Sequence, residues 1–279
     1  MRIEHVTGFH YGGEVTASYN EARMLPANGD DQLALYSHVD ILPISSQHTY
    51  VDYWGTRVSS FEVLTQHREL QLTATSLVEV RPVVTDACGA GWSELAGAVE
   101  RTTRTVEQLT QTRSTAPPPE VAKMAAEIAA SGNDVCAAAL EICRAVGSAM
   151  EYMRGVTGVH STAAEAWAVR KGVCQDITHL ALGGLRSMGI AARYVSGYLH
   201  PKAGAALGEV VTGESHAWVE WFCGDRWHAF DPTNRIDVGE RHVRVGRGRD
   251  YNDVPPLRGV YAGPFASTLF VRVEITRET

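Results

Sequence analysis

The sequence predicts an α+β protein, with an all-β part preceding a part built on a buried helix and an antiparallel sheet. Three observations carry this. The first 80 residues hold six short runs of strand-like composition separated by turn residues. After Pro82 the composition shifts to Ala-rich stretches with helical spacing. From Lys171 onward one apolar-faced helix is followed by alternating runs closed by Gly, Asp and Pro. The division this implies is residues 1–84 as a β-sandwich-like domain and residues 85–279 as a helical segment plus a core domain.

The strand candidates are Arg2–Tyr11, followed by Gly12-Gly13; Val15–Leu25, stopped by Pro26; and Leu33–Leu42, stopped by Pro43. His48–Tyr53 and Val58–Thr65 flank Trp54-Gly55 as a hairpin, and Leu70–Val80 alternates in part. Six short strands imply an antiparallel sandwich or barrel. His5, His10, His38, His48 and His67 are scattered without the spacing of a metal site.

Helices follow. Glu94–Leu109 is a helix weakened by Thr102, Thr103 and Thr105. Pro119 opens a second, Glu120–Ala130, and Asp134 caps a third running to Met150. Cys136 and Cys143 share one face of that third helix, which fits core packing. Ser161 or Thr162 caps a helix through Val169, with Glu165 placed to close a capping box on Thr162.

In KGVCQDITHLALGGL, Cys174, Ile177, Ala181, Leu182, Leu185 and Met188 recur at 3.6-residue spacing, so Cys174 falls in the first turn of a buried helix. Free N–H groups at a helix start favour a thiolate; a small buried hydrophobe is the ordinary alternative for a lone cysteine. His216 lies in ESHAWVEWF and Asp231 ends WHAFD, two strands joined by a turn at Cys223–Arg226. A turn centred on Gly224-Asp225 sets Asp231 opposite Trp218, with His216 one diagonal step away on the same face. A cysteine, a histidine and a carboxylate that orients it are the components of nucleophilic acyl transfer. His228 competes with His216 for the role of base. Trp218 either screens this set from water or fills core space, and Trp221 and Trp227 read as packing aromatics. Tyr152 lines a groove or belongs to the core or rim.

GVCQD at Gly172–Asp176, ESHAWVEWF at Glu214–Phe222 and WHAFDPTN at Trp227–Asn234 resemble the nucleophile, histidine and aspartate motifs of the transglutaminase-like superfamily of papain-type cysteine hydrolases and acyltransferases. More narrowly, the chain resembles bacterial transglutaminase-like proteins that carry their own amino-terminal β domain. The resemblance implies a papain-like catalytic core preceded by an all-β domain. It implies Cys174 as nucleophile, His216 as base and Asp231 as orienter, with Gln175, Tyr152 and Trp218 as candidates for groove or oxyanion support. It also marks Gln175 and Asp176 as motif residues, although Asp176 serves equally as a helix cap.

The expected activity is thiol-dependent hydrolysis of peptide or carboxamide bonds through an acyl-enzyme. Transamidation or deamidation of protein glutamine side chains is the alternative, and a non-catalytic protein-binding scaffold on the same fold is a third. The substrate class is protein or peptide, and no metal or organic cofactor is called for. Lys+Arg of 25 against Asp+Glu of 32 gives a net charge of -7, which argues against a nucleic-acid surface. No apolar run approaches the ~18 residues of a membrane span, and MRIEHVTGFHYGGE lacks the apolar core of a signal peptide. Five cysteines at irregular spacing fit no disulfide scaffold and suit a reducing cytoplasm.

The remaining segments follow from local composition. Ala191–Leu199 is a strand after the helix stop at Gly189. The Gly- and Ala-rich stretch His200–Gly213 is a loop that covers the groove or is a surface insertion. Five arginines from Arg235 to Arg249 are expected on a solvated face or an active-site rim. Tyr251–Pro256 is expected as an extended loop, and Phe265–Ile275 as a terminal strand closing the sheet. Cys223, at the hairpin turn, and Cys88, before Gly89, are expected to be exposed.

Overall fold

The structure, a computed structural model, describes residues 1–81, 89–101 and 105–278. Cys88, Thr102, Thr103 and the division at residues 84/85 lie outside the described residues. The elements in chain order are β1 (Arg2–Val15), β2 (Ala17–Ala22), β3 (Gln32–Leu42), β4 (Gln47–Val51), β5 (Arg57–Val63) and β6 (His67–Val80). Then come α1 (Trp92–Arg101), α2 (Val106–Leu109), α3 (Pro119–Ala129), α4 (Val135–Ala149), β7 (Glu151–Tyr152), α5 (Ala163–Val169), β8 (Lys171–Gly172) and α6 (Cys174–Ser187). The chain continues with β9 (Ala192–Leu199), β10 (Val210–Gly213), β11 (Ser215–Cys223), β12 (Arg226–Asp231), β13 (Ile236–Asp237), β14 (His242–Gly248), a 3₁₀ turn (Tyr251–Asp253), β15 (Leu257–Ala262) and β16 (Ser267–Thr276).

Two sheets, ordered β10-β16-β1-β6-β3 and β15-β2-β5-β4, form a sandwich. Alternation sets the inner face of β6, where Leu70, Leu72 and Ala74 meet Phe61 and Val63 of β5 and Met24 beyond β2. The six expected strands are present, with one change: β1 runs on through Gly12-Gly13, taking up a register shift between His10 and Val15 instead of stopping. The terminal strand β16 pairs with β1 over ten residues from Arg2↔Thr276 to Tyr11↔Ser267, and β15 pairs with β2. Phe265–Ile275 therefore closes the sandwich and not the sheet that carries His216. Even β10, from the expected loop His200–Gly213, joins β16. The sandwich thus takes strands β10, β15 and β16 from the later part of the chain.

The second core surrounds α6. Every residue from Gln175 to Arg186 is buried, so the helix is enclosed on all sides, beyond the single face its spacing predicts. It packs on α3, α4, α5 and β11. Arg186 near its C-terminal end ties three elements together, donating to the carbonyls of Gln108, Ala192 and Arg249. The caps fall where the sequence puts them: Asp134 accepts from Ala137 N–H at 2.8 Å, and Thr162 and Glu165 close a capping box. The expected helix Glu94–Leu109 is instead two pieces, α1 and α2.

The sheet β13-β12-β11-β9-β14 covers α6, and Val273 and Ile275 of the sandwich pack with Tyr198, Val243 and Val245 on it. The arginine-rich stretch is only in part the solvated face or rim expected: Arg235 is exposed and Arg249 half-exposed, while Arg244 and Arg247 turn toward buried partners. Arg244 is buried and pairs with Asp31 at 2.7 Å, and Arg247 grips the buried Glu220 at 2.8 and 2.9 Å. Their partners lie far off in sequence, where local composition cannot show them. Tyr251–Pro256 is not extended throughout: Asp250 accepts from Asn252 N–H and starts the 3₁₀ turn. Cys223 is buried, since the turn proper is Gly224-Asp225 and the cysteine pairs inside the ladder with Arg226. Among the described residues no helix is long and apolar enough to cross a membrane.

Candidate active site

The start of α6 explains the motif Gly-Val-Cys-Gln-Asp. Val173 is extended and precedes the helix. The Asp176 carboxylate reaches back to accept its N–H at 2.8 Å and the Thr157 hydroxyl at 2.7 Å. A Cβ on Gly172 would lie 2.6 Å from Asp176 Oδ2, so glycine is what lets the cap close. Burial raises the Asp176 pKa, against the hydrogen bonds from Thr157 and Val173. Cys174 is then the first helical residue, half-buried at the helix N-terminus. The Gln175 amide donates one N–H to the Val159 carbonyl at 3.1 Å, which ties it to the neighbouring loop.

His216 and Asp231 come from β11 and β12. The ladder runs from Val219↔Phe230 to Cys223↔Arg226, the register a Gly224-Asp225 turn requires. The His216 Nε2–H donates to Asp231 Oδ2 at 2.7 Å. Burial pushes the His216 pKa down, but hydrogen bonds to Asp231 and Cys174, with the charges of both, push it up further, to about 10. Asp231 is fully buried. Its Oδ1 accepts the N–H groups of Thr233 and Asn234 at 3.0 and 3.1 Å, and its Oδ2 also accepts Asn234 Nδ2–H at 2.8 Å. Burial raises its pKa, yet the donors from His216, His242 and Asn234 outweigh this and hold the carboxyl well below the usual carboxylate range.

His228 is excluded as the partner of Asp231 by strand alternation. It stacks on Trp221, with ring centroids 5.8 Å apart, on the core-facing side of the hairpin. Trp218 is buried next to His216 and His242, at ring distances of 6.3 and 5.2 Å, so it packs beneath the pair. Trp221 is core, and Trp227 carries the Arg193 guanidinium 3.6 Å above its ring. Tyr152 lines a groove of about 500 Å³ with Arg154, Leu199, Glu214, His216 and Asn234. Its hydroxyl donates to Glu214, which also pairs with Arg154 at 2.7 Å.

Two members of the cluster escape sequence reasoning. Asn234 sits in the quoted WHAFDPTN run, where its spacing from Asp231 was the available signal. His242 carried none, lying eleven residues on in a charged stretch. Its Nε2 is 3.4 Å from Asp231 Oδ2 and its Nδ1 accepts Gly239 N–H at 3.2 Å. The donor atoms of His216, Asp231 and His242 lie within 4.8 Å of one another, a spacing a metal ion could use. A backbone N–H can only donate, however, so the neutral His242 ring carries its hydrogen on Nε2. The nitrogen facing Asp231 is therefore a donor and not a free lone pair, and the cluster is a hydrogen-bond network.

Comparison with known proteins places this site in a family. Residues 1–79 match the bacterial transglutaminase-like N-terminal region and residues 122–232 the transglutaminase-like superfamily. An uncharacterised protein of Mycobacterium leprae is 42% identical over 277 residues, which is 99% of this chain and 98% of its own. The chain belongs to the transglutaminase-like superfamily. An uncharacterised Mycobacterium tuberculosis protein is 32% identical over 287 residues, covering 98% of the chain and 91% of its own length. A solved structure of a cysteine-protease candidate from Cytophaga hutchinsonii aligns with a TM-score of 0.78 at 20% identity, over 98% of this chain and 90% of that one. The likeness at that identity is one of fold, and it extends over the sandwich as well as the transglutaminase-like core.

Proposed function

We propose that this protein is a thiol-dependent hydrolase of peptide or carboxamide bonds in which Cys174, His216 and Asp231 act together. The observation that carries this reading is the His216 ring held by Asp231 at 2.7 Å, in a chain whose motif cysteine, Cys174, is the first residue of α6. With Nε2 committed to Asp231, Nδ1 is the nitrogen that takes the thiol proton. The thiolate attacks the carbonyl carbon, and the C–N bond breaks as the imidazolium hands its proton to the departing amine. Water, deprotonated by the same ring, then cleaves the thioester and returns the free thiol. The Cys174 backbone N–H at the helix start is the natural donor to the oxyanion.

The groove beside His216 is lined by Tyr152, Arg154 and Glu214, a polar channel suited to a polypeptide substrate. We place the protein in the cytoplasm, where a reducing environment keeps such a thiol active. The test is mass spectrometry of a peptide library incubated with wild type and with Cys174→Ala, with a labelled primary amine present. New peptide ends, or a gain of about one mass unit from conversion of carboxamide to acid, that depend on Cys174 are expected. Amine label incorporated well above trace level would replace hydrolysis by transamidation. No Cys174-dependent change in any product would defeat the proposal.

A further inference from the structure

Asp231 serves two imidazoles. His216 Nε2–H and His242 Nε2–H converge on the same oxygen, Oδ2, at 2.7 and 3.4 Å. The two rings are 6.3 Å apart, and the His242 ring is buried against the edge of Trp218. Gly239 N–H pins Nδ1 of His242 at 3.2 Å, so the ring is held from both sides in one tautomer. A single carboxylate can neutralise one imidazolium in this buried setting, not two. We propose that His242 is a positioning residue that steadies Asp231 while neutral and, once protonated in acid, draws the carboxylate's charge from His216 and disables the Cys174–His216 pair. This rests on reading Cys174, His216 and Asp231 as the reactive set.

The surroundings of His242 agree with that division of states. From β12 it faces Asp231, from β11 His216, and beside it in the chain Arg241. Across the cavity of about 440 Å³ that it lines lie Glu220, Asp237, Asp31 and the guanidinium groups of Arg193, Arg244 and Arg247. Glu220 and Asp31 are already engaged by those arginines, and Asp231 is the carboxylate within hydrogen-bond reach of His242. Burial lowers its pKa, Asp231 opposes this, and the charges of His216 and Arg241 lower it further. His242 is accordingly neutral at neutral pH while His216 is cationic, and it gains its proton only where the medium is acidic enough to overcome the repulsion of His216.

The experiment is peptide-resolved alkylation of Cys174 by iodoacetamide from pH 4.5 to 8 in the wild type, His242→Gln, His242→Leu and His216→Ala. Gln keeps a donor near the position of Nε2 but cannot titrate; Leu keeps neither property. The wild-type rate should fall on the acid side by more than the tenfold per pH unit that one proton permits, and the His242→Gln rate by about tenfold or less. His242→Leu should lose about fivefold at pH 7, as expected for one long hydrogen bond to a charged group, with most of the loss restored in His242→Gln. An acid limb in His242→Gln as steep as in wild type overturns the inference. If His242→Leu does not fold, as judged by its thermal transition, the slope in His242→Gln still decides. His216→Ala separates the two levels. If it leaves the Cys174 profile unchanged the reactive set itself is wrong; if it alters the profile while His242→Gln does not, only the role of His242 fails.

Discussion

Replacing Glu220 by Gln should expose how much of the fold rests on one buried charge. The Glu220 side chain is 8% exposed and accepts from Arg193 Nε at 2.5 Å and from Arg247 Nε and Nη2 at 2.8 and 2.9 Å. Burial raises its pKa, but the charges of Arg247, Arg193 and Arg244 prevail and bring it from 4.5 down to about 2. At about 1.4 kcal/mol per pH unit this is worth about 3 kcal/mol of stability, close to the ~3–5 kcal/mol typical for breaking a buried pair. Because the folded value is depressed, the contribution is fully present above pH 4.5 and is lost as pH falls toward 2. Urea unfolding of both proteins should therefore differ by about 3 kcal/mol at pH 7 and by about 2 kcal/mol at pH 3.5. A difference below about 1 kcal/mol at pH 7, or one that stays constant into acid, would refute the account of Glu220 as the anion that holds Arg193 and Arg247 under the sheet.

Three further outcomes are expected. Gly147→Ala places a Cβ 2.0 Å from the Pro232 carbonyl oxygen. It should cost about 1–3 kcal/mol and, by pushing the segment after Asp231, slow Cys174 alkylation; an unchanged thermal midpoint would remove the basis for both effects. Leu182→Ala, on a fully buried side chain of α6, should destabilise by about 2–5 kcal/mol in urea titration, and a loss under 1 kcal/mol would mean the helix is less tightly enclosed than described. In native protein near neutral pH, iodoacetamide should label half-buried Cys174 well before Cys143, whose thiol burial pushes far up, and before buried Cys223. The reading of Cys174 as the nucleophile fails if either buried cysteine reacts first.

Much of this was legible in the sequence because it is encoded locally. The strands from β1 to β6 declare themselves by strand-like composition between turn residues, Asp134 and Thr162 by capping chemistry, and His216 and Asp231 by short motifs whose relative positions one two-residue turn fixes. The unread parts depend on partners far along the chain. Arg244 and Arg247 look solvated until Asp31 and Glu220 are brought beneath them, and Phe265–Ile275 is an alternating strand with nothing in its own residues to select β1 as neighbour. Gln175 makes the same point, since nothing in its own motif shows that Val159, sixteen residues earlier, takes a hydrogen bond from its amide. His242 was hidden for both reasons, having neither a local motif nor a visible partner.

The pairing of β1 with β16 also sets a timetable for folding. β1 lies in the interior of its sheet, between β6 and β16, yet about 190 residues separate the end of β6 from the start of β16. At the ~5–20 residues per second of protein synthesis, the newly made sandwich waits roughly 10 to 40 seconds with a long edge of β1 unpaired. During that interval α6 and its surrounding helices emerge and can collapse on their own local contacts, whereas the exposed edge is a template for any passing strand. A strand made late thus closes one made early, and the hazard of misassembly is concentrated in the period before it arrives.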